Sequence, residues 1–84
     1  MTNKEILKKK IIYRSMHRGT KEMDLLLGSF VEKNINLFDL RELNDLIALL
    51  ILEDDILYKW YFENVENNLI PRNKTSQMLK DFKF

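Results

Sequence analysis

An all-α fold, a compact bundle of about five short helices in one domain over residues 1–84, is what this sequence predicts, and three observations carry the prediction. Only two glycines and one proline occur in 84 residues, too few turn-formers for a sheet-rich domain. Apolar residues recur at three- and four-residue spacing along most of the chain, the period of one helix face. Residues suited to helix N-termini stand in front of several of these runs, twice as capping boxes. The length suits one core and not two. At 45% hydrophobic and 32% charged residues, the composition is that of a globular chain and not of a disordered one.

The elements follow in order. Thr2-Asn3-Lys4-Glu5 is a capping box for a first helix ending near His17. Its stripe starts at Leu7 and Ile11 and continues through Tyr13 or through Ile12 and Met16, ambiguous in phase by one residue. Lys8-Lys9-Lys10 reads as a solvated face. Helix two spans about Lys21 to Lys33, with Met23, Leu26, Leu27, Phe30 and Val31 inward and Leu25 partly exposed. Gly28 costs this helix roughly 1 kcal/mol relative to alanine, so a close neighbouring helix is expected there.

Asp39-x-x-Glu42 is the second capping box and opens helix three at Leu40. Leu40, Leu43, Ile47, Leu50 and Ile51 should be its buried face. Leu46, Leu49 and Leu52 widen that face until the helix is apolar nearly all round, as the spine of a core would be. Glu53-Asp54-Asp55 ends it, and either aspartate can cap helix four, about Ile56 to Asn64. Leu57, Trp60 and Tyr61 make one stripe there, with Trp60 a core aromatic. A last short helix near Arg72 to Phe82 has Met78, Leu79 and Phe82 to bury.

Several functions are excluded by content. One histidine and no cysteine leave no disulfide and too few soft ligands for zinc. His17 has no sequence partner that would make it a general base, and no phosphate loop or dinucleotide fingerprint occurs. No catalytic residue and no metal ligand is therefore expected. No apolar run of signal length precedes Tyr13, and the longest apolar run, Leu46 to Leu52, is far short of a membrane span. A cytoplasmic protein without membrane insertion is the expectation. The formal charge of +1 is unevenly spread: residues 1–21 hold seven basic and one acidic side chain, whereas residues 22–66 hold three basic and eleven acidic ones. Such asymmetry points to a polar partner surface more than to nucleic acid.

The corner between the first two helices, Arg18-Gly19-Thr20-Lys21-Glu22, concentrates the functional signal. Gly19 is expected to take φ > 0 just past helix one. Thr20 should cap helix two, with Glu22 and Asp24 in its first turn. Read as an exposed charge pair, Arg18 and Glu22 should contribute only about 0–1 kcal/mol to stability.

The longer string Tyr13-Arg14-Ser15 and His17-Arg18-Gly19-Thr20-Lys21-Glu22-Met23-Asp24-Leu25-Leu26-Leu27-Gly28 closely resembles the FAD assembly factors of succinate dehydrogenase. This is the SdhE-type or flavinator family, particularly its alphaproteobacterial members. A second block agrees in order and spacing: Leu49-Leu50, Glu53-Asp54-Asp55, Leu57-Tyr58 and Trp60. The resemblance runs from about Tyr13 to Trp60. The position before Arg18 is often another arginine in the family and is His17 here, and Ile56 stands where the family commonly has proline.

The resemblance implies a protein that binds the flavoprotein subunit of succinate dehydrogenase, with fumarate reductase as a second client. It promotes covalent attachment of FAD to a client histidine. The family's key residues fall on Arg18, Gly19 and Glu22, with Asp24 added and His17 and Arg14 beside them as partner-binding residues. FAD belongs to the client, so no tightly bound cofactor is expected, and the chain is expected to be a monomer. A chaperone-like mechanism suffices, because a partner that prefers the competent client conformation raises its population. The rival reading is a helical nucleic-acid-binding or other interaction module using the basic N-terminus. Glu22 and Asp24 oppose the nucleic-acid version, since they sit where a recognition helix would meet phosphate.

Overall fold

The computed structural model describes residues 2–84, and the helices are α1 (Asn3–Met16), α2 (Lys21–Asn34), α3 (Leu40–Leu50), α4 (Asp54–Phe62) and α5 (Lys74–Asp81). No strand occurs among the described residues. The radius of gyration is 12.0 Å, close to the roughly 12 Å expected of a packed domain of this length, so the helices share one core.

Caps written in the sequence set most of the boundaries. Thr2 accepts from the Glu5 N–H at 3.2 Å, and Thr20 accepts from the Met23 N–H at 3.2 Å. Asp39 and Glu42 complete a reciprocal capping box at α3. Asn73 and Ser76 form another at α5, which is why that helix begins at Lys74 rather than Arg72. α4 starts two residues earlier than its expected Ile56. Glu53 stands at its N-cap without a side-chain bond, so neither aspartate is its cap. It ends where Asn64 takes a left-handed φ of 57°. Asparagine tolerates that region, and the turn lets the Val65 N–H reach the Lys59 carbonyl at 3.0 Å.

The core is built from the inner stripe of α2 and the broad face of α3. Met23, Leu26, Leu27, Phe30 and Val31 are all buried as the spacing requires, and Leu25 is about half exposed. On α3 the buried positions are Leu43, Leu46, Leu49 and Leu50, each leucine contributing about 1.5–3 kcal/mol of burial. Leu40 and Ile51 were expected inside and are exposed. Leu40 is the first residue of α3 and Ile51 its C-cap, so both sit where the helix leaves the core.

α1 packs on both α2 and α3, and α3 also meets α5. The phase of α1 is settled by Ile11 and Ser15, which are buried, while Ile12, Tyr13 and Met16 remain exposed. Leu57 and Trp60 are the buried residues of α4. Lys80 holds its ammonium 5.0 Å from the Trp60 ring centroid and donates to the Trp60 carbonyl. Gly28 does not mark a close helix crossing, because a Cβ added there would meet nothing within 4 Å.

Candidate functional site: the corner between α1 and α2

α1 runs out at Met16, and His17 leaves helical geometry with φ −114° and ψ 58°. Its Nδ1–H donates to the Tyr13 carbonyl at 2.8 Å, and its ring stacks on Tyr13 with centroids 4.2 Å apart. His17 and Arg14 are both exposed.

Arg18 turns the other way, into the protein. Its side chain is 9% exposed, and its Nη2 lies 2.7 Å from Asp54 Oδ1. Nε also donates to Asp54 Oδ1 at 2.7 Å. Nη1 donates to the Leu50 carbonyl at 2.7 Å and Nη2 to the Leu52 carbonyl at 3.0 Å. A longer contact, 3.3 Å, joins Nη1 to the Arg14 carbonyl. The last carbonyls of a helix have no intrahelical partner and form the negative end of its dipole, so a guanidinium suits the end of α3. A planar fork of five donors can serve those carbonyls and a carboxylate together. One side chain thus ties the end of α1, the end of α3 and the start of α4.

Asp54 answers with both oxygens. Oδ1 takes Arg18, and Oδ2 accepts from the Gly19 N–H. A Cβ at residue 19 would lie 2.9 Å from that Oδ2, closer than carbon and oxygen normally approach. Gly19 has no positive φ, so the left-handed cap expected here is absent. Glycine suits the position because the Asp54 carboxylate, held in place by Arg18, would have to shift to admit a side chain.

Asp24 accepts from the Arg18 N–H at 2.7 Å, reaching back from the first turn of α2. Glu22 is exposed on the same turn, and no hydrogen bond or ion pair joins it to Arg18. The exposed Arg18–Glu22 pair of the sequence reading is therefore corrected: the arginine pairs with Asp54 across 36 residues, and Glu22 faces outward. Burial of Arg18 follows from the three carbonyls and the carboxylate that replace its water.

The six expected partner-binding residues divide accordingly. Arg18 and Gly19 take part in the internal latch, with Gly19 still exposed, Asp24 fixes the backbone entering α2, and Glu22, His17 and Arg14 lie on the surface. Asp54 is the member that the sequence reading placed elsewhere, as a helix cap. Its signal was its place in the acidic block Glu53-Asp54-Asp55, opposite in charge to the corner. No group of three or more His, Asp or Glu among the described residues is arranged to hold a metal ion.

Comparison with known proteins places this chain in a family. Residues 9–83 match the model of the flavinator of succinate dehydrogenase. The chain is 43% identical over 61 residues to the mitochondrial succinate dehydrogenase assembly factor 2 of Arabidopsis thaliana, covering 73% of this chain and 32% of that protein. It is 34% identical over 73 residues to the FAD assembly factor SdhE of Acetobacter pasteurianus, covering 87% and 64%. The mitochondrial assembly factor 2 of Dictyostelium discoideum is 37% identical over 76 residues, covering 90% and 52%. The chain therefore spans between about a third and two thirds of the length of these relatives. No solved structure matches. The matched region contains the whole latch, from Arg18 to Asp54, and on that evidence the chain belongs to the flavinator of succinate dehydrogenase family.

Proposed function

We propose that this protein is an assembly factor that binds the flavoprotein subunit of succinate dehydrogenase and promotes covalent attachment of FAD to it. Fumarate reductase is a second client on the same reading. The observation that carries the proposal is the match of residues 9–83 to the flavinator of succinate dehydrogenase; the latch of Arg18, Gly19 and Asp54 fits it, because it holds the α1–α2 corner in one geometry and presents Glu22 and His17 on a preorganised surface. Rigidity before contact reduces the ordering cost of association.

On this reading the protein contributes no catalytic group and keeps no FAD of its own. The attachment chemistry is the client's and the flavin's. Preferential binding to a competent client conformation raises that conformation's population by the ratio of its affinities for the two states. The protein works as a monomer in the cytoplasm and takes no nucleic acid. No helix among the described residues is long and apolar enough to cross a membrane.

Covalent FAD on the client tests the proposal, read as flavin fluorescence of the denatured subunit from cells with wild type, no factor, or Glu22→Ala at matched abundance. Loss of flavinylation without the factor, and a marked fall with Glu22→Ala at unchanged melting temperature, are expected. Full flavinylation in cells lacking the factor would remove the function.

A further inference from the structure

α1 carries apolar residues on two sides, and the fold uses only one of them. Ile11 is fully buried and Leu7 packs beside it against the core. On the opposite side Ile6 is 47% exposed and Tyr13 is 64% exposed. These two form an open patch on the outer surface of α1 together with Lys9, Lys10 and Arg14. No carboxylate lines it. Positions 6, 9, 10, 13 and 14 share one helix face by their three- and four-residue spacing.

We propose that this outer face of α1 docks an acidic segment of the flavoprotein client, one that places an apolar side chain against Ile6 and Tyr13 and carboxylates against Lys10 and Arg14. The proposal rests on the functional reading above and adds a second contact to the corner. Charge complementarity selects the occupant. Residues 1–21 carry seven basic side chains against one acidic, and Lys10 and Arg14 stand beside Ile6 and Tyr13 on the outer face. The surface is also continuous with the corner, because Tyr13 stacks on His17 and the Arg14 carbonyl accepts from Arg18.

An anionic lipid surface fits less well. Residues 22–66 carry eleven acidic side chains against three basic, which an anionic membrane repels. Opposed charges at a partly exposed contact act chiefly on encounter rate and salt dependence, so those are the quantities to read.

The test measures binding of the full chain to the purified flavoprotein subunit at several salt concentrations, for wild type, Lys10→Gln/Arg14→Gln and Ile6→Ser. All variants are first checked for unchanged helicity and melting. The double variant should bind about tenfold or more weakly at low salt, with a flatter salt dependence, and Ile6→Ser should weaken binding at every salt. Zero-length carbodiimide coupling should join Lys10 to a client carboxylate, and mass spectrometry should place it in an acidic segment. If wild type binds and the double variant binds equally with the same salt slope, the docking face is wrong while the function stands. If wild type does not bind the subunit, both fail. Loss of binding to anionic vesicles, or of self-association, with client binding intact would also overturn the proposal.

Discussion

At the scale of single residues, the decisive contact is the one between Arg18 and Asp54. A charge pair this enclosed is costly to break from one side, since the survivor is left without its partner. Arg18→Ala should therefore lower stability by about 3–5 kcal/mol, well above the 0–1 kcal/mol of an exposed pair. Asp54→Ala should lose a comparable amount, and the double variant less than the sum of both, because the two side chains form one unit. Chemical denaturation of the three variants reads this directly; additive losses would show that the two act separately. Gly19→Ala should cost about 1–3 kcal/mol through crowding of the Asp54 carboxylate, not through backbone strain. In an Asp54→Ala background the same substitution should be nearly neutral. An equal cost in both backgrounds would place the difficulty in the backbone.

At the scale of elements, each helix answers a local signal, and the exceptions are informative. α2 keeps its expected inner stripe in full, yet carries Gly28 with open space where its Cβ would be. Its φ is not positive, so alanine fits without strain. Gly28→Ala should raise stability by about 0.5–1 kcal/mol. In a domain this small that is a melting temperature higher by several degrees, at about 4–8 °C per kcal/mol. A lower melting temperature would reveal an internal contact at this position. The acidic block at the start of α4 shows the other kind of exception. An aspartate at the first turn of a helix reads as a cap, and Asp54 instead spends both oxygens on a neighbouring corner.

At the scale of the whole molecule, the C-terminal segment is strapped back onto α4. The Tyr61 hydroxyl donates to the Phe82 carbonyl across 21 residues, and Phe82 meets Phe30 edge-on with centroids 5.4 Å apart. Burial pushes the Tyr61 phenol above its ordinary value of 10.0. The folded state therefore holds this proton more tightly than the unfolded chain. The resulting stability is fully present below the ordinary phenol range and is lost as pH rises through the raised value. The stability advantage of wild type over Tyr61→Phe should shrink as pH rises above about 10. Urea denaturation of both proteins across that range checks the sign, and a constant difference would show that the phenol does not titrate with folding.

The sequence by itself determined whatever depends on neighbours three or four residues away. Thr2, Thr20 and the Asp39–Glu42 box set helix starts through such short-range bonds, and the α2 stripe follows from helical period alone. The strings around Arg18-Gly19 and Glu53-Asp54-Asp55 also carried the family, because residue identity in order is enough for that. Tertiary structure decided what lies across the fold. The choice between Ser15 and its neighbours on α1, and the exposure of Leu40 and Ile51 at the ends of α3, depend on where other helices stop. The fate of Arg18 depends on Leu50, Leu52 and Asp54, from 32 to 36 positions away. An arginine beside a glycine looks the same in sequence whether it faces water or a carboxylate. Only the packing of α3 and α4 against the corner supplies the carboxylate and the carbonyls that turn it inward.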